Sequence, residues 1–196
     1  MEGVFCISNI EEILAGIEVI AQIPSEIREF MAWLSERDIK DVLEIGVYEA
    51  GTIICWKGLF PDASVLGIDF GTGSDRLFRM RDKHGFELMM RSDSRLPETF
   101  EKVKDRRFDF IFVDGDHSYE AVKSDYEMYW PLVRNEGIMA FHDIKDTEFH
   151  RSIGVEVERL WGELKGSHTY KEFIDPTNAP DEGFGGIGVI FKGEVS

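Results

Sequence analysis

The sequence predicts an α/β fold: a doubly wound, mostly parallel sheet with helices on both faces. Three observations carry this. Strand-like and helix-like segments alternate from residue 41 to residue 164. The run FDFIFV at 108–113 is apolar almost throughout, as a central strand covered on both faces must be. Several strand ends carry acidic or small polar residues, and ligands of open α/β sheets bind outside the carboxyl ends of the strands.

The elements follow in order. Residues 9–22 carry Ile10, Ile13, Leu14, Ile17 and Ile20 at helical spacing, with Asn9 as N-cap and Glu12 three residues on. Ile27, Phe30, Met31 and Leu34 mark a second amphipathic helix after Pro24 and Ser25. Strands are expected at 41–46 (DVLEIG), 65–70 (VLGIDF), 87–91, 108–114 and 137–141 (GIMAF). Helices are expected at 52–60, 74–83 and 97–104. A further helix carries Tyr119, Val122, Tyr126, Tyr129 and Val133 and is ended or kinked by Pro131. Another spans Ile153 to Leu164. Two segments, 169–174 and 186–191, close the chain with no helical pattern between them, which suggests an antiparallel pair at one edge. Residues 1–39 read as an N-terminal helical cap and 40–196 as the main unit of one compact domain. The cap helices could cover the sheet, close the ligand site or form a homodimer contact. The arginines at 76, 79 and 81 with Lys83 read as a solvated face.

Composition narrows the function. The 196 residues carry 43% hydrophobic side chains, enough for a sizeable core and against general disorder. A net charge of −16 argues against nucleic acid and anionic membrane surfaces as partners. No apolar run reaches the length of a membrane span, and the N-terminus shows no signal-peptide pattern, so the cytoplasm is the expected location. Cys6 and Cys55 have no metal-like spacing.

Four constellations carry chemistry. Glu44-Ile45-Gly46-Val47-Tyr48-Glu49-Ala50-Gly51-Thr52 ends a buried strand in glycine and opens a helix. It is not GxGxxG, so a dinucleotide cradle is poorly matched. A carboxylate at Glu44 would repel a pyrophosphate and attract an amino group. Asp69, at the end of the second strand, is placed to accept from the hydroxyls of a ribose, or else to cap the next helix. In Ser92-Asp93-Ser94, Asp93 could accept from an adenine amino group or serve as a plain N-cap. The fourth set is Asp114, Asp116 and His117 after the fourth strand, with His142 and Asp143 after the fifth.

In this order and spacing the motifs resemble the class I S-adenosylmethionine-dependent methyltransferases, over residues 40–192: ExGxxxxGT at 44–52, Asp69, SDS at 92–94 and VDGDH at 113–117. FDFIFVDGDHSYEAV followed by GIMAFHD is similar to small-molecule O-methyltransferases of the caffeoyl-CoA/catechol and macrocin/cephalosporin-biosynthesis branches. The resemblance implies a Rossmann-like seven-stranded sheet with a reversed last strand and S-adenosylmethionine across the ends of strands one, two and four. The cofactor positions it implies are Glu44, Gly46, Tyr48, Gly51, Thr52, Asp69, Phe70, Ser92, Asp93, Ser94, Asp114 and Asp116. It implies a divalent metal, Mg²⁺ or Mn²⁺, on Asp114, His142 and Asp143, beside the hydroxyl of a small-molecule acceptor. Ala50 stands where a glycine is usual. His117 replaces the lysine of the caffeoyl-CoA branch and His142-Asp143 its Asp-Asn; an imidazole shifts metal preference toward Mn²⁺, Fe²⁺ or Zn²⁺. His117 suits a general base at neutral pH, with Asp114 beside it. A methyltransferase with another acceptor atom or without metal, and a non-catalytic cofactor-binding module, are the alternatives. The 175–185 connection is expected near the mouth of the site, with Phe184 or Tyr170 able to pack on a ring.

Overall fold

The computed structural model describes residues 7–71, 73–177 and 185–193. Its helices are α1 (Ile7–Ala15), α2 (Pro24–Leu34), α3 (Gly51–Leu59), α4 (Asp75–His84), α5 (Pro97–Phe100), α6 (Tyr119–Tyr129), α7 (Glu148–Ile153) and α8 (Val157–Lys165). Its strands are β1 (Asp41–Ile45), β2 (Ser64–Ile68), β3 (Glu87–Met89), β4 (Phe108–Val113), β5 (Val133–His142), β6 (Tyr170–Phe173) and β7 (Ile187–Phe191). They form one seven-stranded sheet in the order β3-β2-β1-β4-β5-β7-β6. All neighbours are parallel except β7, which runs antiparallel to both β5 and β6. This is the Rossmann-like α/β sheet with a reversed last strand that the sequence predicts.

The core lies on both faces of β4, as its apolar run requires. Phe110 and Phe112 point to the face covered by α2 and α3, and Ile111 and Val113 to the face covered by α6 and α8. On the first face Phe30 is the hub. Its ring centroid lies 5.7 Å from Trp56, 5.8 Å from Phe110 and 5.2 Å from Phe173. Helix α2 therefore buries Ile27, Phe30, Met31 and Leu34 in the same cluster as the central strand. Pro24, whose missing N–H costs nothing in a first turn, opens it.

Four local expectations are corrected. The first helix stops at Ala15, and Asn9 lies inside it rather than at its cap. Residues 17–23 instead form a non-helical strap that leads into α2. Val133 starts β5 rather than ending α6, because Trp130–Leu132 makes a 3-10 turn around Pro131. The register against β4 then skips from Phe108↔Val133 to Phe110↔Ile138, so a bulge hides the strand's first half from a period-two reading. The single helix expected over 153–164 is two, parted by Gly154 in the left-handed region. Arg76 is not a solvated residue. Its side chain is 15% exposed and reaches Glu49 on the β1–α3 loop and Glu18 on the strap.

The carboxyl ends of β1 and β4 meet more closely than side chains allow. A Cβ on Gly46 (φ +87°) would lie 2.2 Å from the Asp114 carbonyl oxygen. Gly85 also has positive φ (+71°) but open space around it. Gly85→Ala should cost about 1 kcal/mol, the backbone penalty alone, whereas Gly46→Ala should cost more than about 3 kcal/mol because backbone must also move. Urea unfolding of the two variants measures the difference.

Candidate active site

A cavity of about 610 Å³ opens at the carboxyl ends of β1 to β4. Nine of the expected cofactor positions line it: Gly46, Tyr48, Asp69, Phe70, Ser92, Asp93, Ser94, Asp114 and Asp116. Glu49, Gly71, Gly73, Ser74, Arg95 and Gly115 also line it. Its volume is that of an ordinary small-ligand or cofactor site.

The β1–α3 loop is shaped by Asp69. One carboxylate oxygen accepts from the N–H groups of Val47 (2.8 Å) and Tyr48 (2.9 Å), and the other from Gly71 (2.7 Å). Positive φ at Gly46, Tyr48 and Ala50 lets the loop turn that tightly. Ala50 thus adopts the conformation for which a glycine is usual. Asp93 is held by Arg95, which also reaches Asp116 at 3.2 Å. Asp116 accepts from the Ser118 N–H and hydroxyl at the start of α6.

Glu44, Gly51 and Thr52 do not reach the cavity. Glu44 is fully buried and accepts from the Thr52 hydroxyl (2.8 Å) and the Trp56 indole N–H, tying α3 to β1. Burial, with the nearby charges of Asp114 and Asp69, pushes its carboxyl well above the usual range. Buried against α3, it does not line the cavity where it was expected to meet an amino group. Gly51 packs under the strap, where a Cβ would lie 2.4 Å from the Val19 carbonyl.

Asp114 lines the cavity and also reaches a cluster of imidazoles. Its Oδ1 lies 3.2 Å from His117 Nε2 and 3.1 Å from His142 Nδ1. His117 Nδ1 lies 3.2 Å from Asp143 Oδ2, and His142 Nδ1 lies 3.4 Å from Asp143 Oδ1. The ends of β4 and β5 converge as the sequence required. Burial opposes charge on Asp114, but His142 and His117 outweigh it and bring its pKa down to about 2. Burial likewise opposes charge on His142, and Asp114 and Asp143 lift it to about 9. His117 is raised despite burial by the same two carboxylates.

Two members of this cluster have no clear sequence signal. Gln22, on the strap, donates to Asp114 Oδ2 at 2.7 Å. His150, on α7, is fully buried with Nε2 3.4 Å from Asp143 Oδ1, and its Nδ1 lies 2.7 Å from the Lys145 carbonyl. Among the described residues no group of three or more His, Cys, Asp and Glu side chains stands arranged to hold a metal ion. Asp114, His142 and Asp143, expected to do so, are joined by their own hydrogen bonds. Tyr170 lies at the far end of β6, paired with Ile190 and packed edge-on to Trp161, so it does not border the site. Phe184 lies outside the described residues.

A family model described as a methyltransferase domain matches residues 43–144, more than half of the chain. The chain belongs to this methyltransferase family. With the fold and the cavity, this makes it a class I S-adenosylmethionine-dependent methyltransferase. An uncharacterised protein of Acanthamoeba polyphaga mimivirus is 24% identical over 148 residues, covering 71% of this chain and 67% of the relative. Among solved structures, an O-methyltransferase from Bacillus cereus in complex with S-adenosylhomocysteine superposes with a TM-score of 0.64 at 18% identity, over 94% of this chain and 90% of that one. The MycE methyltransferase of the mycinamycin pathway, bound to Mg, S-adenosylhomocysteine and mycinamycin VI, gives 0.61 at 17% identity, over 95% of this chain. This methyltransferase spans 54% of MycE. At such identities the likeness establishes the shared fold. No helix among the described residues is long and apolar enough to cross a membrane.

Beneath the cavity, Asp125 on α6 is 1% exposed, and its Oδ1 has no hydrogen-bond partner among the described residues. Burial lifts its pKa from 3.8 to about 6. The folded state therefore binds this proton more tightly than the unfolded chain, and stability falls as pH rises from about 4 to 6. Asp125→Asn should unfold with the same stability as wild type at pH 4 but be more stable at pH 7, by up to about 3 kcal/mol. Urea titrations at the two pH values measure this.

Proposed function

We propose that this methyltransferase transfers the methyl group to a hydroxyl oxygen of a small molecule, with His117 as proton acceptor. One observation carries the reading. Asp114 lines the cofactor cavity and also holds His117 at 3.2 Å, so a base stands beside the place where the donor's methyl group would be presented.

The chemistry is an in-line displacement. An acceptor oxygen lone pair forms the new C–O bond as the C–S bond of the sulfonium breaks, and S-adenosylhomocysteine leaves. Because the donor is already activated, alignment is the main requirement, and holding two reactants in line supplies roughly 7–11 kcal/mol. His117 takes the hydroxyl proton in its neutral form, on the ring nitrogen whose carboxylate contact the acceptor has displaced, while the other nitrogen keeps its own proton on the second carboxylate. Asp143 and Asp114 then stabilise the imidazolium. Without a metal, His142, its pKa lifted to about 9, balances the two carboxylates.

The donor chemistry of Asp114, His142 and Asp143, two carboxylates and one imidazole nitrogen, fits a divalent cation of the Mn²⁺, Fe²⁺ or Zn²⁺ type better than Mg²⁺. Such a cation would lower the pKa of the acceptor hydroxyl. The hydrogen bonds that already join these side chains favour a second reading, in which the same transfer runs without metal on His117 alone. The acidic net charge supports a small-molecule acceptor over nucleic acid.

Thermal unfolding with S-adenosylhomocysteine, with and without Mn²⁺ or Mg²⁺, separates these readings. Cofactor at 100 times its Kd should stabilise the fold by about 2.7 kcal/mol. A further shift with cation, lost in Asp143→Ala, selects the metal-assisted reading, and no cation effect selects the metal-free one. His117→Ala should keep the cofactor shift and slow turnover about 10²–10⁴-fold. An equally active variant removes His117 from the base role.

A further inference from the structure

Eight large apolar side chains are exposed among the described residues, and they are not spread evenly. Seven of them, all but Tyr170, lie on segments bordering the carboxyl ends of the strands. Tyr48 and Phe70 line the cofactor cavity. Phe149, Ile153, Ile174 and Val19 do not, yet Phe149 and Ile174 stand next to groups that touch Asp143. The Phe149 ring lies 6.3 Å from that of His150, which abuts Asp143. Ile174 borders Gly186, whose neighbour Gly185 donates to Asp143 at 2.9 Å. Val19 belongs to the strap that carries Gln22 onto Asp114. Ile153, 58% exposed, ends the helix that carries Phe149 and His150.

Apolar groups gathered around a polar reaction centre mark a surface that is covered in function. The occupant has to bring a hydroxyl to Asp114 and His117, so it is the acceptor itself. Its charge is also constrained. Arg76, Arg151 and Arg159, carried by the segments around this region, are engaged with Glu18 and Glu49, with Asp146, and over the Tyr119 ring. A phosphorylated or coenzyme A-linked acceptor would have to compete with Glu18, Glu49 and Asp146 for Arg76 and Arg151, in a chain of net charge −16.

We infer that the acceptor is an uncharged, apolar hydroxylated molecule, whose apolar body rests on Phe149, Ile153 and Ile174 while its hydroxyl enters the Asp114–His117 cluster. The inference rests on the O-methyl transfer proposed above.

The test compares three catechols with radiolabelled S-adenosylmethionine: an uncharged 4-alkylcatechol, the carboxylate dihydrocaffeate, and caffeoyl-CoA. Tryptophan-fluorescence titration in the presence of S-adenosylhomocysteine reads binding separately. The alkylcatechol should bind about tenfold or more tightly than either anion, as a few buried methylenes allow. Phe149→Ser with Ile153→Ser should erase that preference, and the variant's S-adenosylhomocysteine stabilisation reports its fold. Equal or stronger binding of an anion overturns the inference, as does a preference untouched by the double substitution. Preferential binding of the alkylcatechol without methylation keeps the apolar surface on Phe149, Ile153 and Ile174 but overturns its occupant as a methyl acceptor.

Discussion

The carboxyl ends of β1 and β4 approach so closely that only glycine fits between them. Gly46 abuts the Asp114 carbonyl, and Gly115 sits above Ile45. Two consequences follow from that contact. The β1–α3 loop is free to turn through Tyr48 and Ala50 and be gripped by Asp69, which shapes one wall of the cavity. Asp114 is left at the junction, with one side toward the cavity and the other toward the imidazoles. The buried phenylalanines of β4, packed by α2 and α3, hold this junction rigid.

Electrostatics decide what the junction can do. Two carboxylates so close to one another would repel if both stood alone, and burial would raise their pKa values. Here His117 and His142 lie between them, so Asp114 and Asp143 stay ionised and the imidazoles gain proton affinity. The pairing keeps charge inside the fold without leaving it uncompensated, which is the usual condition for tolerating buried ions. The cofactor side is treated differently. There Arg95 pairs with Asp93 and Asp116, and burial raises the pKa of Glu44.

Much of this was legible in the sequence because it is local. Strand ends at Asp69, Asp93, Asp114 and His142-Asp143 are marked by an apolar run stopping at a polar residue, and a parallel sheet places all such ends on one side. What was hidden depends on long-range docking. Gln22 reads as the tail of a helix, since Ile17 and Ile20 continue the spacing of α1. The helix ends early, and the strap is held by Arg76 and Gly51 from elsewhere in the chain. His150 belongs to a helix of one and a half turns, too short to show a period. Glu44 looks like a ligand because Gly46 and Tyr48 just after it line the cavity, but its strand position turns it toward Thr52 and Trp56. Tyr170 lies on a strand whose direction places it at the opposite end of the sheet.

The central claim is that Asp114 joins the cofactor cavity to the imidazole cluster. Nitrogen-15 spectra of the histidine side chains, recorded before and after saturation with S-adenosylhomocysteine, test it directly. His117 and His142 should shift, because their shared carboxylate lines the filled cavity, while His84 and His168, which have no contact with Asp114, should not. Saturation that leaves His117 and His142 unmoved, or that moves all four alike, would contradict the account.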